Sequence, residues 1–195
     1  MNDVISRKWD AIYAQLDRVS CLPVSVLTEN EFLLPKVGTA LDLACGLGAN
    51  ALFLAHQGMA VTAWDISIVA IDKLSRYATQ QDLNINASLE KIDADSFTEC
   101  SFDVIVVSRF LDRTLSDAII DALKPDGLLF YQTFTREKMI ESPPNNPDYL
   151  LTENELLTLF SPLRVIFYRE NALIGEPLRG LRNETQFVGQ KRKNW

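Results

Sequence analysis

The sequence predicts an α/β protein built on a doubly wound sheet of about seven strands, mostly parallel, with an antiparallel last strand. Three observations support this. From about Leu41 onward, short apolar runs alternate with segments of helical period, the pattern of repeated β-α-β units. Residues 104–107 are continuously β-branched, as in a central strand covered on both faces. The connection between the last two runs contains Gly175, Pro177 and Gly180 without helical period, so those strands should pair antiparallel.

The strands are predicted from runs of apolar and alternating residues. They lie at residues 40–44, 60–64, 85–89, 104–107, 128–131, 165–168 and 186–188. Pro125-Asp126-Gly127 predicts a turn directly before the fifth strand.

Four helices are predicted between these strands. The first covers residues 51–57 and stops at Gly58, and another covers residues 116–123. Ser67 is a suitable N-cap for a helix whose buried face should carry Ile68, Ile71, Leu74 and Ala78. Thr152 and Glu155 have capping-box spacing, which predicts a helix from there to about Phe160.

Composition narrows the class of protein. Hydrophobic residues make up 47% and charged residues 23% of 195 residues, which excludes a disordered or fibrous chain. The net charge of -7 gives no basic footprint, so a nucleic acid partner is not expected. No apolar stretch approaches the length of a membrane span, and the first residues lack the apolar core of a secretory signal. Three scattered cysteines form neither a disulfide framework nor a metal site. We therefore expect a reduced, cytoplasmic protein.

The most informative segment is the glycine-containing turn after the first strand. It reads Asp42-Leu43-Ala44-Cys45-Gly46-Leu47-Gly48-Ala49-Asn50. Gly46 and Gly48 permit a tight turn and the close approach of a ligand, although tight packing alone would also use them. Asp65 ends the next strand, where a carboxylate can accept hydrogen bonds from ribose hydroxyls. The combination predicts a nucleoside site in a Rossmann-like domain.

A dinucleotide enzyme is the main alternative. Gly46, Gly48 and Ala51 satisfy the G-x-G-x-x-A fingerprint, so an NAD(P)-dependent oxidoreductase would use the same turn. Asp42 would face the pyrophosphate there, which is unfavourable, whereas its charge suits an ammonium or sulfonium group. The expected antiparallel last strand also argues against this alternative, as does the lack of hydride-transfer machinery, because the only histidine, His56, lies inside a predicted helix. A non-catalytic cofactor-binding module remains a third possibility.

Four segments resemble the motifs of class I S-adenosylmethionine-dependent methyltransferases. They are Leu41-Asp42-Leu43-Ala44-Cys45-Gly46-Leu47-Gly48, Val61-Thr62-Ala63-Trp64-Asp65-Ile66-Ser67, Ser101-Phe102-Asp103-Val104-Ile105 and Leu123-Lys124-Pro125-Asp126-Gly127. Trp9-Asp10-Ala11-Ile12-Tyr13 is similar to an element of the tellurite-resistance and thiopurine-type methyltransferases. The resemblance covers about residues 9–190. It departs from the pattern at Asn50, usually a third glycine, and at Asp126, usually glycine.

This resemblance implies a cofactor, S-adenosylmethionine, and a set of contacts. The methionine part would lie on Asp42, Ala44, Cys45, Gly46, Gly48 and Asn50. Asp65 would bind the ribose, while the adenine would contact Ile66, Asp93 and Ala94. Ser108 and Arg109 would line the methyl-transfer centre. The implied reaction is methyl transfer to a small-molecule nucleophile, with an oxygen, sulfur, nitrogen or metalloid atom as acceptor. Whether a catalytic base is used stays open, because a base is needed only if the nucleophile arrives protonated. No metal ligand is predicted.

Several features predict the acceptor side. Arg109, Arg113 and Arg136 could orient an anionic acceptor, with Arg109 the best candidate; alternatively they form surface pairs with Asp112, Asp117 or Glu137. Residues 141–149 form a proline-rich loop that would be a lid or a rigid linker. Trp9 and Tyr13 would either close over the cofactor or fix an N-terminal helix to the core. We expect a single methyltransferase domain at 1–195, with a helical extension at 1–36 and the Rossmann-like core at 37–195.

Overall fold

A central sheet of seven strands organises the protein, in the order β3-β2-β1-β4-β5-β7-β6. A computed structural model describes residues 2–16 and 22–193. The strands are β1 (Thr39–Leu43), β2 (Ala60–Asp65), β3 (Ile85–Leu89), β4 (Phe102–Ser108), β5 (Leu123–Phe134), β6 (Arg164–Glu170) and β7 (Glu184–Gln190). The first five pair in parallel, whereas β7 is antiparallel to both β5 and β6. The predicted sheet and its antiparallel last strand are confirmed.

Helices cover both faces of this sheet. They are α1 (Asn2–Gln15), α2 (Ser25–Thr28), α3 (Ala49–His56), α4 (Ile68–Gln80), α5 (Ser116–Ala122) and α6 (Glu155–Leu159). Because successive strand residues point to opposite faces, the strands contribute to two separate apolar clusters. One cluster joins β1, β4 and β5 to α5 and α6, and the other joins them to α2, α3 and α4. The doubly wound architecture follows from these two cores.

The N-terminal segment is helical in the described residues. Besides α1 and α2, it contains a short 3-10 turn at Glu31–Leu33. Val26 and Leu27 of α2 are fully buried against the sheet, so this part of the predicted extension belongs to the core packing. Cys21 lies outside the described residues; Cys45 is buried and Cys100 exposed, both as free thiols.

The cap of α4 was predicted correctly, but one residue of its apolar face was not. The Ser67 hydroxyl accepts a hydrogen bond from the Ala70 N–H. Ile71 and Leu74 are buried, whereas Ile68 is 45% exposed. At about 100° per residue, Ile68 lies about 90° from the centre of the buried stripe, in the first turn of the helix.

The turn predicted before the fifth strand was wrong. The Pro125-Asp126-Gly127 segment is not a separate turn, because β5 runs through it. The partners on β4 and β5 change from Phe102–Leu123 to Val104–Leu128, so residues 124–127 bulge out of the ladder. The Asp126 N–H donates to the Lys191 carbonyl, which keeps the bulge attached to the chain after β7.

The predicted capping box before α6 forms only in part. The Glu155 carboxylate accepts hydrogen bonds from the Thr152 N–H and hydroxyl. The intervening Asn154 adopts a left-handed conformation, with φ of 58°, so the helix begins at Glu155 and ends at Leu159. An ion pair holds the Glu155 side chain in addition to the incomplete cap. Arg113 donates from Nε and Nη2 to the two Glu155 oxygens, and also to the Asp148 and Leu150 carbonyls.

We predict that Glu155→Gln destabilises the fold at neutral pH and that the deficit shrinks in acid. Burial opposes ionisation of Glu155, but hydrogen bonds from Arg113 and Thr152 outweigh it and lower its pKa to about 2. The ionised carboxylate therefore contributes stability above its unfolded pKa of 4.5, and this contribution is lost as the pH falls toward about 2. We expect a loss of about 1–3 kcal/mol in the free energy of unfolding, measured by urea denaturation.

The exposed neighbour supplies the control. Glu153→Gln should leave the free energy of unfolding unchanged within about 0.5 kcal/mol. Equal losses in the two variants, or a deficit in Glu155→Gln that persists in acid, would contradict the assignment of this ion pair.

Candidate cofactor site

The glycine-containing turn connects β1 to α3 at the carboxyl edge, the edge of the sheet where β1 to β5 end. Ala44, Gly46 and Gly48 have left-handed backbone, with φ of 54°, 52° and 79°. Gly48 is needed for packing, because a Cβ there would lie 2.4 Å from a methyl carbon of Leu74 on α4. A Cβ on Gly46 would lie 2.8 Å from the Tyr13 hydroxyl oxygen. The turn is therefore enclosed by α4 on one side and by α1 on another.

Asp42 and Asn50 form a buried network behind the turn. Asp42 has no exposed surface, and its carboxylate accepts from the Ala51 N–H at 2.9 Å and the Asn50 amide at 3.3 Å. The Asn50 side-chain N–H also donates to the Ser108 hydroxyl at 3.0 Å, and the side-chain carbonyl of Asn50 accepts from the Val24 N–H. Asn50 thus ties the start of α3 to the end of β4 and to the N-terminal segment, which a glycine could not do.

Asp65 joins the turn to α4. Its carboxylate is 5% exposed and accepts from the Gly46 N–H at 2.7 Å and the Ser67 N–H at 2.9 Å. The Cys45 N–H donates to the Trp64 carbonyl, so backbone and side-chain contacts hold the same junction. The carboxylate predicted to bind the ribose therefore lies beside the glycine-containing turn.

The two carboxyls resist ionisation. Burial raises the pKa of Asp42 to about 7, and the nearby charge of Asp65 adds to this. Burial also raises the pKa of Asp65 against the hydrogen bonds that it accepts, with a further contribution from the charge of Asp10. A positive charge placed among these three acidic groups would be stabilised, and a further negative charge would be repelled.

The acceptor side lies where β4 and β5 end. Arg109 follows β4 with φ of 52°, and its N–H donates to the Gln132 carbonyl at 2.8 Å. Its Nε donates at 3.2 Å to Glu184, whose side chain is 11% exposed and also accepts from the Gln132 amide. The Arg109 side chain itself is 56% exposed. Glu184 therefore holds one side of the Arg109 guanidinium, and the other side faces solvent.

The remaining predicted contacts are distributed around this edge. Ile66 follows β2 and is half-buried. Asp93 and Ala94 form an exposed turn after β3, and the Asp93 carboxylate accepts from the Asp95 N–H within that turn. Arg136 is exposed, with a 3.5 Å contact to the Pro147 carbonyl.

The acidic partners predicted for these arginine side chains were wrong. Arg109 pairs with Glu184 and Arg113 with Glu155, rather than with Asp112, Asp117 or Glu137. Both partners are distant in sequence and are brought near by the sheet, so local spacing could not identify them.

Sequence reasoning missed a polar layer under Arg109. Gln132 and Gln186 are cross-strand partners on β5 and β7 and are both buried. The side-chain carbonyl of Gln132 accepts hydrogen bonds from the Val26 N–H, the Ser25 hydroxyl and the Gln186 amide. The signal was present as a glutamine directly after one predicted strand and a glutamine within another, because a glutamine side chain needs hydrogen-bond partners when it is buried.

Two solved structures share the fold of this chain. The solved structure of TehB from Haemophilus influenzae matches 94% of this chain and 67% of its own, with a TM-score of 0.72 and 21% identity. A methyltransferase structure from Methanosarcina mazei matches 89% of this chain and 100% of its own, with a TM-score of 0.66 and 21% identity. The architecture is that of the class I methyltransferases.

Sequence comparison assigns the family. The model of the tellurite resistance protein TehB family matches residues 18–174, and the chain belongs to this family. A probable S-adenosyl-L-methionine-dependent methyltransferase, TehB from Haemophilus influenzae, is 31% identical over 137 residues. That match covers 67% of this chain and 48% of the relative.

A second relative is likewise a methyltransferase. A ubiquinone biosynthesis O-methyltransferase from Coxiella burnetii is 33% identical over 101 residues, which are 49% of this chain and 43% of the relative. The chain thus spans about half the length of the curated relatives that it matches. Among the residues that the structure describes, no helix is both long and apolar enough to cross a membrane.

We predict that Asp42→Asn is less destabilising at about pH 8 than at about pH 5. The carboxyl titrates near 3.8 when unfolded and at about 7 when folded. Wild-type stability from this group is therefore present below the unfolded pKa and is lost as the pH rises toward 7. The asparagine variant does not undergo that loss of stability, while the hydrogen-bond acceptor that it lacks lowers the free energy of unfolding by the same amount at every pH. Urea denaturation at the two pH values measures the difference.

The exposed Asp95→Asn serves as the comparison, because its carboxylate lies outside the network. A destabilisation of Asp42→Asn that grows with pH would show that the buried carboxyl is ionised at little cost, contrary to this account.

Proposed function

We propose that this protein transfers a methyl group from S-adenosylmethionine to a small-molecule nucleophile. The observation that carries the proposal is the acidic character of the glycine-containing turn: Asp65 is bonded to Gly46, Asp42 lies behind the turn, and the charge of Asp10 acts on Asp65. The methionine part of S-adenosylmethionine carries a sulfonium, an ammonium and one carboxylate, so its net charge is positive and suits such a site. The similarity to the Haemophilus and Coxiella methyltransferases supports the same class of reaction.

The same charges disfavour the dinucleotide alternative. A pyrophosphate requires backbone N–H donors and a positive environment at this turn. Here the Gly46 N–H already donates to the Asp65 carboxylate, and a second buried carboxylate, Asp42, lies behind the turn. An NAD(P)-dependent oxidoreductase is therefore not favoured.

The residues present fit the donor. We infer that the turn from Ala44 through Cys45 to Gly48 holds the methionine part, with Asp42 and Asn50 fixing its shape from behind. Asp65 would meet the ribose, and Ile66 would pack on the adenine, beside the turn that contains Asp93 and Ala94. Ser108, held by Asn50, would lie near the methionine end.

The chemistry needs alignment more than a catalytic group. The bound donor supplies a methyl group already activated on sulfur, so the protein must orient the nucleophile in line and exclude water. Arg109 is the candidate for orientation, because Glu184 and Gln132 brace its position and leave its outer side exposed. We propose an acceptor that carries a carboxylate or another oxyanion. A single domain and a cytoplasmic location stay predictions, as does a lid at residues 141–149.

Calorimetric titration tests the donor. We expect S-adenosylhomocysteine to bind with a Kd on the order of micromolar and NADH not to bind. Asp65→Asn keeps the size of the side chain but loses one acceptor oxygen, and should weaken binding at least about tenfold. Asp72→Asn on the exposed side of α4 should bind like the wild type. Binding of NADH in place of S-adenosylhomocysteine would overturn the proposal.

Methyl transfer from labelled donor tests the acceptor side. With acceptors offered in pairs, with and without a carboxylate, Arg109→Gln should reduce kcat/KM about 10- to 100-fold for the anionic member. Binding of S-adenosylhomocysteine should stay unchanged, and Arg76→Gln on α4 serves as the charge-matched control. An equal loss for both members of each pair would reject Arg109 as the anion contact.

A further inference from the structure

An open cavity lies at the amino edge of the sheet, the edge where β6 begins and β7 ends. Arg164 and Gln190 are register partners there, at the first residue of β6 and the last residue of β7. The seven residues of β7 span about 20 Å from Gln190 to Glu184, the partner of Arg109, so the cavity is separate from the site proposed for methyl transfer. Its volume is about 480 Å³, and it is lined by Asp126, Arg164, Gln190, Arg192 and Lys193.

The bulge of β5 forms one side of this cavity. The Asp126 N–H donates to the Lys191 carbonyl at 2.8 Å, and the Lys191 N–H donates to the Gly127 carbonyl at 2.9 Å. The side-chain N–H of Gln190 donates to the Asp126 carbonyl at 3.4 Å. These contacts attach the basic segment that follows β7 to the bulge, so its cations are held beside the sheet.

Cationic side chains outnumber carboxylates around the cavity. Lys193 lies 2.7 Å from the Asp126 carboxylate and pairs with the one acidic residue among the five that line the cavity. Within the described ranges, 2–16 and 22–193, Arg164 and Arg192 form no ion pair. Two guanidiniums without acidic partners repel each other, and an oxyanion bound between them would be stabilised by both.

The charges and the size of the cavity favour a small molecule that carries phosphate groups. A guanidinium presents parallel N–H donors that match the oxygens of a phosphate, and it stays charged at every ordinary pH. Once Lys193 has neutralised Asp126, the charges of Arg164 and Arg192 balance those of a diphosphate diester. The volume of about 480 Å³ lies within the range of roughly 300–1,000 Å³ that is usual for small-molecule sites.

We propose that this cavity is a second ligand site, which binds the diphosphate group of a small molecule through Arg164 and Arg192. Lys193 assists by neutralising Asp126, whose charge would otherwise repel the ligand. Binding at this cavity does not depend on the methyl donor, because the two sites lie at opposite edges of the sheet.

Calorimetric titration of the full chain with inorganic pyrophosphate tests the site. We expect one binding event with a Kd on the order of 100 μM at low salt, and weaker binding of inorganic phosphate, which is too small to engage both guanidiniums. Arg164→Gln and Arg192→Gln should each weaken the binding of pyrophosphate at least about tenfold. Arg76→Gln removes the same charge from the exposed side of α4 and should bind pyrophosphate like the wild type.

Asp126→Asn gives a test of opposite sign. Asparagine tolerates the left-handed backbone at this position, where φ is 67°, and it removes the one negative charge from the lining. Binding of pyrophosphate should therefore become about two- to tenfold tighter. Affinity for S-adenosylhomocysteine should be the same in all these variants, which shows that the fold is intact.

Nuclear magnetic resonance locates the bound anion. Pyrophosphate should shift the amide signals of residues 124–127 and 190–193, whereas shifts confined to residues 44–50 would place it at the glycine-containing turn and overturn the proposal. Absence of binding at millimolar pyrophosphate, or an equal loss in Arg76→Gln, would also reject the site. A single-stranded oligonucleotide that displaces pyrophosphate and binds more tightly would assign these arginines to nucleic acid instead of a small molecule.

Discussion

The contact on which the site depends is the pair of hydrogen bonds that Asp65 accepts from Gly46 and Ser67. They join the end of β2 to the glycine-containing turn and to the start of α4. Because Ala44 adopts a left-handed backbone that is costly for a residue with a side chain, and the two glycines have many other conformations open to them, the turn needs such outside contacts to keep its shape. Asp42 and Asn50 supply the others from behind, and Asn50 extends the same restraint to Ser108.

This arrangement places acidic groups in a region with little access to water. Burial raises the pKa values of Asp42 and Asp65, and the charges of neighbouring acidic groups add to this, a cost that the apolar packing of the sheet must offset. Structures retain such costs mainly at functional sites, and a cationic ligand would relieve this one. The proposed donor and the proposed role of Arg109 rest on one electrostatic arrangement: the turn favours a cation, and Arg109 favours an anion that approaches from the open side.

Much of the fold could be predicted from the sequence, because short apolar runs and the Ser67 cap are local signals. The bulge at residues 124–127 could not, since it depends on pairing between Asp126 and Lys191 after β7. The same holds for the site. The motif residues Asp42, Gly46 and Asp65 stand close in sequence, whereas Glu184 and Lys73 reach Arg109 and the end of α1 only through the tertiary fold.

The most direct test of the account is a crystal structure of the protein with S-adenosylhomocysteine. We expect the ribose within hydrogen-bonding distance of Asp65, the homocysteine along residues 44–48, and its sulfur facing the side of Ser108 and Arg109. A ligand bound at another edge of the sheet, or one whose ribose has no contact with Asp65, would contradict the central claim.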